Sequence, residues 1–213
     1  MNPIRIDVWS DYVCPFCYLQ LPVIQRIEEE LGASVEIVWR PFELRPVPTP
    51  TLDPKGDYLR DIWKQAVHPM ALERSMKLQL PPVQPRSRLA HEAAAYAGDH
   101  DRFTQMNLAI FRAFFEKGED IGQIDILARI ATDIGLDGDG LREALKEGSY
   151  QESVLQSEQL ALRLGITGVP AAFVRQGDWL LEQGFHLEGA QPAEAFLKVI
   201  EQVKTDQPIG RGV

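Results

Sequence analysis

Cysteine occurs twice in the 213 residues, at positions 14 and 17, and the pair lies where one kind of periodicity gives way to another. Upstream, Ile4, Ile6 and Val8 alternate with Arg5 and Asp7, the period-two signature of a strand. Downstream, Leu21, Ile24, Ile27 and Leu31 follow helical spacing up to Gly32. A Cys-X-X-Cys sequence at a strand-to-helix junction constrains the chain strongly, because that is where such a pair does redox chemistry.

Residues three apart share a helix face, so the two sulfurs can bond with little strain. Cys14 falls at the helix N-terminus, where free N–H groups and the helix dipole favour an anion; a lowered thiol pKa and a reactive thiolate are expected there. Pro15 suits the first helical turn, which needs no N–H from it. Cys17, one turn deeper, is expected to be the more buried, resolving thiol. The expected chemistry is thiol–disulfide exchange: Cys14 attacks, a mixed disulfide forms, and Cys17 releases it. A structural zinc site normally takes four ligands, and neither a second cysteine pair nor histidines at ligand spacing accompany this one, so no metal and no cofactor are expected.

The rest of the chain reads as a frame interrupted by helices. Val35 to Trp39 forms a second strand, giving strand–helix–strand with a short return and hence a parallel pair. Pro46 to Pro54 is loop by composition. Helices are expected over Tyr58–Val67, Met70–Leu78, Ser87–Ala97, Asp101–Glu116, Gln123–Ile134, Gly140–Lys146 and Gln151–Leu164. The phenylalanine stripe of Phe103, Phe111, Phe114 and Phe115 is expected to be core. Ala171 to Val174 is a strand, Gln176-Gly177-Asp178 a hairpin turn, and Trp179 to Glu182 its partner strand. A last helix spans Ala193 to Val203, and the tail from Thr205 to Val213 is polar and expected to be mobile. The order predicts an α/β class. Residues 1–50 and 159–213 form one discontinuous domain, and 51–158 an all-α insertion.

The net charge of −9 argues against nucleic acid and anionic membrane surfaces as partners. No apolar run approaches the roughly 20 residues needed to cross a bilayer. The first residues run straight into a charged strand rather than a signal peptide, so a cytoplasmic location is expected, and there a catalytic cysteine pair is favoured over a structural disulfide.

Three ordered signatures carry a resemblance: Ser10-Asp11-x-x-Cys14-Pro15-Phe16-Cys17-Tyr18, Trp39-Arg40-Pro41-Phe42-Glu43-Leu44, and Gly165-Ile166-x-Gly168-Val169-Pro170-x-x-Phe173-Val174 with Gly189-Ala190-Gln191-Pro192 beyond it. Over nearly its whole length the chain resembles the DsbA-like thioredoxin superfamily, and within it the FrnE-like dithiol oxidoreductases and isomerases. The resemblance implies a thioredoxin fold, a central mixed sheet flanked by helices, with a helical insertion. It implies a cis bond at Val169–Pro170, with Pro170 facing Cys14 and the Val169 main chain open to an extended substrate. Pro15 and Phe16 would tune the thiolate, although FrnE-like proteins often carry tryptophan at the place of Phe16. The implied partners are protein or small-molecule disulfides and dithiols, with glutathione as a further candidate. Kappa-class glutathione transferases and hydroxychromene-carboxylate isomerases are also similar to this fold. They usually carry serine at the place of Cys14 and activate the thiol of glutathione, which makes glutathione-dependent transfer or isomerisation the alternative function. Asp11 is expected to brace the turn before the motif. Glu36 reads as a solvent-facing strand residue, with an inward position beneath the site as the other possibility, and His186 as a surface residue.

Overall fold

The computed structural model describes residues 3–205. The expectation of a mobile tail falls almost wholly on 206–213, outside the described residues. Four strands, β1 (Ile4–Ser10), β2 (Val35–Pro41), β3 (Ala171–Gln176) and β4 (Phe185–Glu188), form one mixed sheet in the order β2-β1-β3-β4. β1 runs parallel to β2 and antiparallel to β3, and β4 runs antiparallel to β3. The parallel β1–β2 pair is closed by α1 (Pro15–Leu31), which ends at Gly32 with a positive φ of 51°, a conformation that costs glycine little.

β1 is central and buried on both faces, as strands between two helical layers must be. Ile4, Ile6 and Val8 pack in one cluster with Ile24 and Ile27 of α1 and with Phe196 and Ile200 of α9 (Ala193–Thr205). On the other face Trp9 joins Phe42, Phe173 and Ala161 of α8 (Gln151–Arg163). Asp7 points into this second layer, fully buried, and is neutralised from both neighbouring strands. Arg40 Nη2 lies 2.6 Å from Asp7 Oδ1, and Arg175 Nε lies 3.2 Å from Oδ2. A buried carboxylate persists only with such partners.

Between β2 and α8 run α2 (Asp57–Ile62), a π turn over Trp63–Val67, α3 (His68–Glu73), α4 (Arg88–Gly98), α5 (Phe103–Phe115), α6 (Ile124–Asp133) and α7 (Gly138–Glu147). Their apolar faces and the Cys17, Tyr18 and Leu21 side of α1 share one large cluster. The phenylalanines of α5 pack directly on the helix that carries the thiols: Tyr18 stacks on Phe111 and Phe115 at 5.2 and 5.8 Å.

Two expectations are corrected. The strand pairing with β3 is Phe185–Glu188, not Trp179–Glu182, in the register Val174↔Phe185. Trp179 is instead buried in the cluster under α9, its N–H bonded to the Gln176 carbonyl and its carbonyl accepting from Arg175 Nη1 at 2.7 Å. A short 3-10 turn, Leu181–Gln183, carries the chain on to β4. The helix expected over Met70–Leu78 begins at His68, continuing the preceding one through the π turn, and stops at Glu73. Arg74 donates to the Leu19 and Gln191 carbonyls, Ser75 takes a φ of +55°, and the chain leaves as loop.

Candidate active site

The two thiols are held by the turn between β1 and α1. Cys14 is the N-cap of α1, in extended conformation, with Pro15 in the first turn behind it. Its N–H donates to the Asp11 carbonyl at 3.1 Å, and its carbonyl accepts from the Cys17 N–H at 3.1 Å. Both cysteines are free thiols. Exposure barely separates them, at 4% for Cys14 and 1% for Cys17. Their surroundings do. Cys14 lines an open groove, with Sγ donating to the Val169 carbonyl at 3.3 Å, whereas Cys17 Sγ lies behind it and accepts from the Asp11 N–H at 3.4 Å.

Burial pushes the Cys17 thiol pKa well up, and the adjacent Cys14 sulfur pushes it further. The Asp11 N–H and the Ser10 hydroxyl act in the opposite sense, because both donate to the sulfur and favour its thiolate.

Val169–Pro170 is a cis bond, with Pro170 buried and its carbonyl accepting from the Gly189 N–H at 2.8 Å. The loop ahead of β3 thus lies against the cysteine turn, and Val169 is its point of contact with Cys14. A second cis bond, Val47–Pro48, lies in the loop after β2 and had no distinguishing mark in the sequence.

Asp11 is fully buried and ties three segments together. Oδ1 accepts from the Val13 N–H at 3.3 Å, within its own turn, and Oδ2 accepts from the Leu44 N–H at 2.7 Å, in the segment after β2. His91 Nε2, from α4, stands 3.4 Å from Oδ1. Asp11 therefore shapes the turn rather than facing a substrate, and the second signature meets the first through its bond to Leu44. The neighbouring Glu43 is also buried. It shares Arg88 with Glu158, at 2.9 and 3.2 Å. Burial raises the Glu158 and Glu92 carboxyl pKa values, and the Arg88 guanidinium opposes both shifts.

The groove holds about 240 Å3. Cys14, Phe16 and Val169 form one end, and Leu44, Leu52 and Trp63 the apolar walls. Arg45, Thr51 and Gln84 place polar groups at its margin. The arrangement can present one sulfur to an apolar or mixed chain and keep the second sulfur behind it.

Glu36 lies opposite Arg5 on the β1–β2 pair and binds it at 3.3 Å with half its side chain exposed, away from the thiols. His186 is exposed on β4, as a surface residue. It stacks on Phe173 at 4.6 Å and lines a small recess with Val169 and Pro170. His91, Ser10 and Tyr12 escaped the sequence reading as site residues. His91 sits alone on an alanine-rich helix with no local pattern to mark it.

The strand order, the thiol capping α1 and the cis-proline loop against it define a thioredoxin-fold protein. The chain belongs to the DSBA-like thioredoxin domain family, whose model matches residues 5–201. It is 35% identical over 201 residues to the uncharacterized protein YwbO of Bacillus subtilis, covering 92% of this chain and 96% of that protein. It is 27% identical over 174 residues to the 2-hydroxychromene-2-carboxylate isomerase of Sphingobium xenophagum, covering 79% and 88% respectively. Among solved structures it is similar to a probable DsbA oxidoreductase, SCO1869 of Streptomyces coelicolor, with a TM-score of 0.78 at 22% identity, covering 99% of this chain and 94% of that one. No helix among the described residues is long and apolar enough to cross a membrane.

Proposed function

We propose that the protein is a dithiol–disulfide oxidoreductase or isomerase working through Cys14-Pro15-Phe16-Cys17. The observation that carries this reading is the placement of the sulfurs: Cys14 at the groove against the Val169 carbonyl, Cys17 directly behind it. The Cys14 thiolate attacks one sulfur of a substrate disulfide, a mixed disulfide forms, and the other substrate sulfur leaves as thiolate. Cys17 then attacks Cys14; the Cys14–Cys17 bond forms, the mixed disulfide breaks, and the substrate has gained two electrons. The reverse sequence oxidises a dithiol. The substrates are disulfides and dithiols with an apolar flank that fits the walls formed by Leu44, Leu52 and Trp63, and glutathione is the candidate small thiol. The partition into 1–50 plus 159–213 and the helical 51–158 belongs to the same reading, supported by the helices α2–α7 lying between β2 and β3 in the chain.

Catalysed reduction of a protein disulfide by the wild type, lost in Cys14→Ser, is the test. The likeness to the chromene-carboxylate isomerase favours glutathione-dependent isomerisation as the second reading. Glutathione-dependent turnover of a chromene carboxylate by Cys17→Ser, with no disulfide exchange by the wild type, would establish it instead.

A further inference from the structure

The groove at Cys14 does not end at the cis-proline loop. Gly168 and Val169 line both the groove and a recess of about 250 Å3 on the β4 side, where Thr167, Pro170, His186 and Glu188 join them. At Gly168, where the two spaces meet, an added Cβ would touch no atom within 4 Å, so the space over the shared backbone is open to a passing chain. Cys14 Sγ, 3.3 Å from the Val169 carbonyl, stands at the same junction. A chain that delivers its sulfur to Cys14 therefore has one flank in the groove and the other over the recess.

The two spaces differ in charge. Among the described residues that line the groove, the one with a formal charge is Arg45; among those that line the recess, it is Glu188. The Glu188 side chain is 83% exposed, and His186 Nδ1 stands 3.5 Å from its Oε1, too far for a good hydrogen bond, so the carboxylate is open to a ligand. His186 stacks on Phe173 with the ring planes 13° from parallel, and its ring walls the recess. β4 is the outer strand of the sheet, so no further strand covers this side. A lysine or arginine suits the pair: its apolar stem packs on the imidazole while its charged head reaches the carboxylate.

Building on the oxidoreductase reading above, we propose that the recess is a specificity pocket for a basic residue beside the substrate cysteine. The preferred substrate is a disulfide whose cysteine carries an apolar residue on one flank, seated in the groove, and lysine or arginine on the other, seated against His186 and Glu188. Arg45 makes the preference one-sided, because it repels a cation from the groove while Glu188 repels a carboxylate from the recess. The charges thereby fix the direction in which a substrate crosses Val169. Glu188 and His186 meet the substrate away from the reacting sulfurs, so they act on binding rather than on the exchange step.

The test uses the reduced full chain and peptides whose single cysteine is capped by thionitrobenzoate. Cys14 attacks the peptide sulfur and thionitrobenzoate leaves as the coloured thiolate; its release rate against peptide concentration gives a half-saturating concentration and a limiting rate. The peptides carry leucine on one side of the cysteine and lysine or glutamate on the other, in both chain orders. In one order the lysine peptide is expected to half-saturate at an about three- to fivefold lower concentration than the glutamate peptide, with limiting rates equal within about twofold. High salt is expected to shrink the difference. Glu188→Gln is expected to remove it and Glu188→Lys to invert it, an inversion that a merely structural role would not produce. Equal half-saturation by the two peptides in both orders overturns the proposal, as does a lysine preference that survives Glu188→Lys. A wild type that stays joined to every peptide, with Cys17 never releasing it, defeats the oxidoreductase reading itself, and intact-protein mass spectrometry shows that whichever peptide binds better.

Discussion

Cys14 Sγ donates a hydrogen bond to the Val169 carbonyl at 3.3 Å across 155 positions of sequence. The thiol at the helix N-terminus and the loop before β3 therefore form one surface. Any extended chain that reaches the sulfur also meets the Val169 backbone, the geometry by which a sheet edge accepts an added strand.

The two cysteines are expected to differ in what their loss does. Cys14→Ser should lower disulfide exchange by about 100-fold or more, since the attacking thiolate is gone. Cys17→Ser should still attack and then stall, accumulating a mixed disulfide that intact-protein mass spectrometry detects. The reverse pattern would exchange their roles.

The groove should set substrate affinity rather than chemistry. Tyr58 lines it with most of its side chain exposed. Tyr58→Ala is expected to raise KM for an apolar disulfide peptide about fivefold, near 1 kcal/mol of lost contact, with kcat unchanged. Steady-state kinetics on an apolar and a polar peptide should show the loss only for the first.

Removing Asp11 should cost stability. Asp11→Ala orphans the Val13 and Leu44 N–H groups, an expected loss of about 2–4 kcal/mol in urea denaturation. Asp11→Asn retains an acceptor and should lose less. Asp7→Ala leaves Arg40 and Arg175 without their shared carboxylate and is expected to cost about 3–5 kcal/mol. Because Asp7 points to the α8 side of the sheet, exchange per folded molecule should stay near wild type.

The reduced protein should lose stability in alkali. The folded Cys17 pKa is raised above its unfolded value by burial, so the folded state holds its proton longer. Stability is then full below the unfolded thiol pKa, about 8.5, and falls as pH rises from there toward the folded value. Tyr12, raised by burial and by Asp11, adds a further loss above about pH 10. Cys17→Ala should remove the first part of the decline and keep the second.

The sequence exposed what local pattern encodes. The cysteine motif announced the β1–α1 junction, and helical periodicity located α4, α5, α6 and α8 within two residues of their ends. The partner of β3 escaped because Trp179 and Leu181 look like strand, and only burial of Trp179 under α9 excludes it from the sheet. Ser75 ended a helix with no breaker in the chain because Arg74 is anchored to α1 and to the Gln191 loop. His91 and Asn107 face a cavity created by four separate elements, and no window of sequence contains that.

The central claim is tested most directly by equilibrating the Cys14–Cys17 pair in a series of glutathione buffers and trapping free thiols. A reversible two-electron transition between an intramolecular disulfide and a dithiol, at roughly −270 to −120 mV, is the predicted result. Failure of Cys14 and Cys17 to form that disulfide at any buffer ratio would contradict it.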